Sequence, residues 1–225
     1  MMSFTGFEAF LRNSFPQDIT PQMTERFRLM DGVYREWNGK INVISRKDMD
    51  GLYDHHVLHS LAIAEYLRTR CPETYSSFIA PKEELSVLDL GTGGGFPGIP
   101  LAALFPKVRF TLCDSVGKKT IVAKKVADTL GLENVEVVNA RAETLTDRFD
   151  FVVSRAVASL TDFYPWVKGK YSRSILYLKG GDINEEICSL MSREHLRKGS
   201  ISTWPVSSWL TDPYFTGKYV VDIGR

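Results

Sequence analysis

The stretch DLGTGGGFPGIPLAALFP, Asp89–Pro106, crowds glycine and proline between the apolar run SVLDL and a helix-forming segment. Glycine costs backbone entropy and proline forbids most local structure, so such a loop is built where something must approach the backbone itself. A turn leaving a parallel strand lies at the carboxyl edge of its sheet, where open α/β folds bind ligands. The N–H groups of a helix starting near Pro97 to Pro100 point at the same place. The chemistry this arrangement serves is that of a nucleotide-like ligand lying across the loop.

Two nucleotide classes compete. Gly93–Gly98, GGGFPG, fits the G-x-G-x-x-G pattern of dinucleotide sites, a weak signal by itself. Asp89 opens a D-x-G-x-G pattern with Gly91 and Gly93. A carboxylate there suits the cationic amino group of S-adenosylmethionine and repels a pyrophosphate. Phe96-Pro97 splits the last glycines and begins a stiff helix rather than a phosphate cradle. Asp114, at the end of the next apolar run, can accept both ribose hydroxyls, a feature shared with NAD enzymes. Ala142 and Glu143 follow the third run, where an adenine would lie. Ser154 and Arg155 follow the fourth and are candidates for the cleft mouth. Glu143 also suits a helix N-terminus as a plain dipole partner.

Other chemistries find little support. Cys71, Cys113 and Cys188 are far apart and form no C-x-x-C pair. His55, His56 and His59 share a helix, but the glutamate of H-E-x-x-H is missing and no third ligand is evident. No metal is expected; polar packing at a cofactor lid or a phosphate contact fits these histidines better. There are no paired carboxylates and no Cys–His nucleophile. The net charge of +1 leaves nucleic-acid binding to local patches. Arg46 and Lys47, in a loop, and Lys118 and Lys119, after a strand end, are the candidate contacts for nucleic-acid phosphates, whereas Lys124-Lys125 alternates like a solvated helix face.

The elements that would position these groups fall into two regimes. Residues 1–80 read as a helical segment. Met23, Phe27, Met30, Tyr34 and Trp37 recur at helical spacing, with Thr20 as cap and Pro21 at the first position. DGLYDHHVLHSLAIAEYLRTR is a second helix, and CPETYSSFIAPKEE reads as a connection. Residues 81–225 alternate the apolar runs LSVLDL, VRFTLCD, VEVVNA, FDFVVSR and SILYLK with helical stretches, the pattern of parallel strands buried on both faces and joined by right-handed crossovers. The end reads as an antiparallel hairpin closing the sheet. The expectation is one compact α/β unit preceded by helices. An odd cysteine count, the lack of a basic-then-apolar leader and the lack of any long apolar run make a cytoplasmic protein the expectation.

LDLGTGGGFPGIPLA, LCDSVGKK, NARAE and VVSRAVASL, in this order and spacing, resemble the bacterial 16S rRNA guanine-N7 methyltransferase G family, also called glucose-inhibited division protein B. WNGKINVIS and HHVLHSL resemble that family's helical segment, roughly W-N-x-x-x-N-L-T-S and R-H-x-x-D-S. The similarity runs from about Tyr34 to Leu178. It implies a class I, Rossmann-like methyltransferase with a mostly parallel seven-stranded sheet. It further implies methyl transfer from S-adenosylmethionine to N7 of a guanine in the 530 loop of 16S rRNA, with the rRNA or the 30S subunit as partner and a monomeric enzyme. By position, Gly91, Phe96, Ala142, Glu143 and Arg155 would contact the cofactor, with Asp114 on its ribose. His55 stands where the family usually has Arg, His59 where it usually has Asp, and Val43-Ile44-Ser45 replaces Leu-Thr-Ser. Against this stand an NAD-type oxidoreductase, which lacks its Lys/Tyr or His apparatus here, and a non-catalytic RNA-binding module that keeps the fold.

Overall fold

The computed structural model describes residues 2–225. Helix α1 spans Phe4–Ser14, α2 Pro21–Lys40, α3 His59–Arg70 and α4 Pro72–Ile79. They precede strands β1 (Ser86–Leu90), β2 (Arg109–Asp114), β3 (Val135–Asn139), β4 (Phe149–Arg155) and β5 (Tyr171–Gly180), connected by α5 (Gly98–Leu104), α6 (Gly117–Thr129) and α7 (Leu160–Val167). Helix α8 (Ile183–Glu194) then leads to β6 (Ile201–Pro205) and β7 (Lys218–Gly224).

The seven strands form one sheet in the order β3-β2-β1-β4-β5-β7-β6. Strands β1 to β5 pair in parallel, and β7 runs antiparallel to both β5 and β6. The chain steps outward from β1 to β3, then returns to place β4 on the other side of β1. The crevice outside the carboxyl ends of β1 and β4 is therefore the switch point at which such sheets bind ligands.

Local chemistry explains the elements. Thr20 Oγ1 accepts from the Met23 N–H at 3.2 Å, capping α2, and Pro21 occupies its first turn. Met23, Phe27, Met30 and Tyr34 form its buried stripe. The predicted second helix divides: Leu52–Leu58 winds as a π-helix before α3 begins at His59. Such wide turns cluster at functional sites, and this one carries His55 and His56.

Three expectations change. CPETYSSFIAPKEE is not a plain connection: its apolar Tyr75 and Phe78 drive α4 into the core. Strand β3 is not buried on both faces, because it lies at the sheet edge and none of its residues is fully covered. The amphipathic α8, capped by Asp182, was not foreseen.

The N-terminal helices share one hydrophobic core with the sheet. Phe78 of α4 packs on Phe151 of β4 at 5.1 Å and on Phe105 at 5.0 Å between ring centroids. Phe78→Ala is expected to cost about 3–5 kcal/mol in urea-unfolding free energy, through lost transfer energy and the cavity left behind. A cost below about 1 kcal/mol would show that α4 is only loosely docked.

Candidate cofactor and substrate site

A cavity of about 600 Å³ opens at the carboxyl ends of β1, β2 and β4, within the range of small-molecule and cofactor sites. Leu90 and Gly91 form its floor, and Asp114, Ser115 and Lys119 one wall. Ala140, Arg141, Ala142 and Glu143, which follow β3, lie at one end, and Arg155, Ala156 and Val157, which follow β4, close the other. Trp166 of α7 completes the lining.

The glycine loop lends its backbone to this cavity. Gly91 sits at φ +72°, the left-handed region that side chains disfavour. Its N–H donates to Cys113 O at 2.8 Å, tying the turn to β2. A Cβ there would stand 2.4 Å from Val157 Cγ2. The helical segment presses on the same loop. Asn38 Oδ1 accepts from Val43 N (2.8 Å) and Ile44 N (2.9 Å), folding the WNGKINVIS turn so that Val43 lies directly against Gly94. Tyr34 donates to Gly94 O at 3.0 Å.

Asp114 both lines the cavity and braces it. Its Oδ2 accepts from Gly93 N at 2.9 Å and its Oδ1 from Val116 N at 2.8 Å. Each carboxylate oxygen can accept more than one hydrogen bond, so capacity remains for two adjacent hydroxyls. Gly93 thus acts through Asp114 and does not itself line the cavity.

Asp89, expected beside the cofactor, lies apart from the cavity lining. Its carboxylate is fully buried under the loop and does not line the cavity. Its Oδ2 accepts from Thr92 Oγ1 at 2.6 Å and from Gly98 N at 2.8 Å, while Oδ1 has no hydrogen-bond partner among the described residues. The first N–H of α5, expected to face a ligand, is therefore turned inward to Asp89. Burial pushes the Asp89 carboxyl up to about 7. An unfolded Asp titrates near 4, so between about pH 4 and pH 7 the native state holds a proton that the unfolded state releases. Stability from this group therefore falls as pH rises through that window, by on the order of 4 kcal/mol at most. Asp89→Asn is expected to flatten the decline, read as urea midpoints of both proteins at pH 5 and pH 8. Equal pH dependence in the two would contradict it.

Ser154, a candidate for the mouth, and Phe96, an expected cofactor contact, both lie outside the cavity lining. Ser154 is fully buried and donates to Leu90 O at 2.7 Å, locking β4 to β1. Phe96 is buried, stacks on Tyr34 at 4.8 Å and lies beneath the Arg155 guanidinium, 5.0 Å from its ring centroid. Arg155 itself lines the cavity, and burial lowers its pKa from the usual arginine value. Ala142 and Glu143 fall on the 3₁₀ turn after β3, at the cavity's far end. Of the candidate RNA contacts, Lys119 lines the cavity, while Arg46, Lys47 and Lys118 are exposed on the surface.

Among the described residues no group of three His, Cys, Asp or Glu side chains is placed to hold a metal. His55 and His56 instead share the Asp48 carboxylate. His59 is buried edge-on against Phe215, and burial holds its pKa well below the usual value. Trp166, which no motif marks, was missed as a cavity residue; Tyr214, outside the cavity lining, stacks on His55 at 3.7 Å from the C-terminal loop.

The residues fit S-adenosylmethionine: a carboxylate with free acceptor capacity, a bare backbone turn and a cation lie along one cavity of suitable size. Comparison with known proteins agrees. Residues 25–208 match the family described as GidB, rRNA small subunit methyltransferase G. The ribosomal RNA small subunit methyltransferase G of Flavobacterium psychrophilum is 43% identical over 217 residues, covering 93% of this chain and 94% of that relative. The protein of the same name from Cytophaga hutchinsonii is 47% identical over 180 residues, covering 76% and 81%. Among solved structures, magnesium protoporphyrin IX methyltransferase from Synechocystis PCC 6803 with bound S-adenosylmethionine superposes with a TM-score of 0.61 at 13% identity, covering 92% of this chain and 98% of that one. The ribosomal protein L11 methylase of Lactobacillus delbrueckii superposes at 0.52 with 16% identity, covering 75% and 76%; both are likenesses of fold.

Proposed function

The chain belongs to the rRNA small subunit methyltransferase G family and is an S-adenosylmethionine-dependent methyltransferase, and from that premise we propose that it methylates N7 of a guanine in the 530 loop of 16S ribosomal RNA. The observation that carries this reading is the joining, in one cavity, of the left-handed Gly91 turn, Asp114 and Arg155.

When bound, the cofactor supplies an electrophilic methyl group on a sulfonium. Asp114 takes its ribose hydroxyls, and Ala142 and Glu143 border the adenine. Arg155 is the lining cation at the β4 end, opposite Lys119 and Arg141, and pairs with the carboxylate of the amino-acid portion. Guanine N7 already presents an in-plane lone pair and carries no proton, so no residue need act as general base. The protein's contribution is orientation. Holding two reactants in line can lower a barrier by roughly 7–11 kcal/mol. Lys119 at the cavity, with the exposed Arg46, Lys47 and Lys118, meets RNA phosphates, which makes affinity fall with salt.

Residues 1–80 serve as a helical cover on the catalytic unit of residues 81–225, with the WNGKINVIS turn bracing the glycine loop. The enzyme acts as a monomer in the cytoplasm on 16S rRNA or the 30S subunit. No helix among the described residues is long and apolar enough to cross a membrane. The test is rRNA from cells lacking the protein: the 530-loop guanine should lose its N7 methyl group. Its retention would refute the assigned substrate.

A further inference from the structure

We propose that Asp48 and His56 are positioning residues for Arg155, fixing its guanidinium so that its remaining N–H donors face the amino-acid end of the cofactor. The inference rests on the reading of Arg155 as the carboxylate's partner.

The contacts form a line from the surface to the cavity. Arg155 Nη2 lies 3.2 Å from His56 Nδ1, and His56 Nε2 lies 2.7 Å from Asp48 Oδ2. The other oxygen of Asp48 meets His55 Nδ1 at 2.5 Å. A guanidinium has donors only, so His56 Nδ1 must accept and can carry no proton. The single proton of the neutral ring is then on Nε2, where it donates to Asp48. Each member of the line dictates the next, and no other tautomer or charge state satisfies both contacts. Burial, followed by the positive charge of Arg155, pushes the His56 pKa down to about 4 against the pull of Asp48, which keeps the ring neutral as the line requires.

The guanidinium is thereby held on two sides. His56 takes one edge and the Phe96 ring lies under one face. The side that borders the cavity is left for a ligand. The line begins on the short segment before the π-helix, next to Arg46 and Lys47, and ends at the cavity. The π-helical turn places His55 and His56 on opposite oxygens of one carboxylate.

The test uses two ligands that differ only at the amino-acid end: S-adenosylhomocysteine, which has it, and methylthioadenosine, which lacks it. In the intact protein, His56→Ala and Asp48→Asn should each weaken S-adenosylhomocysteine about tenfold by calorimetry and leave methylthioadenosine within about twofold. Arg155→Ala should abolish the preference between the two, and adding His56→Ala to it should cost nothing further, because the two act as one unit. His56→Asn, whose side-chain oxygen can stand in for Nδ1, should recover most of the lost affinity. Nitrogen NMR of labelled histidine should show His56 protonated at Nε2 alone. The proposal is overturned by equal losses for both ligands, by full additivity with Arg155→Ala, or by a His56 ring protonated at Nδ1. If His56→Ala does not fold, Asp48→Asn at its half-buried site decides by the same comparison. An Arg155→Ala protein that keeps its preference would refute the carboxylate reading together with this inference, whereas lost preference with silent His56 and Asp48 variants would refute the inference alone.

Discussion

Gly91→Val should abolish S-adenosylmethionine binding, at least 100-fold by calorimetric titration, while the far-ultraviolet circular dichroism of the protein stays native. The backbone at Gly91 has φ +72° and forms the cavity floor. A valine there pays about 1–2 kcal/mol for the left-handed conformation. Its Cβ would also stand 2.4 Å from Val157 Cγ2. Val157 is 39% exposed on the loop after β4, so it can swing aside without disturbing the core. The added bulk then occupies the floor on which the cofactor must lie, and binding is lost ahead of folding. A variant that unfolds would assign Gly91 to the framework instead.

Asp114→Ala should behave differently, losing cofactor affinity and stability together. The carboxylate is only 8% exposed and accepts from two backbone N–H groups, on Gly93 and Val116. Both hydrogen bonds are only part-buried, so water takes up the freed N–H groups and each lost bond costs about 0.5–1.5 kcal/mol. The cofactor loses its ribose acceptor as well, so affinity should fall about 100-fold or more while the urea midpoint drops measurably. Unchanged affinity in a folded Asp114→Ala protein would remove Asp114 from the site. The pair of variants thus separates backbone access, which is needed only for binding, from a side chain that both builds and uses the loop.

The contrast between Asp114 and Asp89 shows what sequence can and cannot convey. Both acids end apolar runs beside the glycines, and both invite a ligand role. The Thr92 hydroxyl and the Gly98 N–H draw Asp89 inward, a consequence of how tightly the loop winds, which no spacing records. Ser154 carries the same ambiguity: a residue at a strand end can face the cleft or lock the frame behind it. The alternation of parallel strands with helices, the terminal hairpin and the cap of α2 were legible because periodicity and cap chemistry are local. Helix α4 was hidden by its short polar turns, since its two apolar anchors find partners only in the folded core. Trp166 carries no motif of its own and reaches the cavity only because the crossover helix α7 turns it inward, and Tyr214 meets His55 only through the fold of the C-terminal loop. The partner of His55 and His56, Asp48, lies on a separate short segment, so spacing alone could not name it.

The central claim is that the bare turn at Gly91, flanked by Asp114 and Arg155, presents a sulfonium methyl group to a purine nitrogen that is already a free nucleophile. The most direct measurement incubates the purified protein with methyl-labelled S-adenosylmethionine and 16S rRNA from cells lacking the modification, free and assembled into 30S particles, and maps the labelled nucleotide. The account predicts label on N7 of one guanine in the 530 loop. Label on another atom or another base, or none on either substrate while the cofactor is bound, would contradict it.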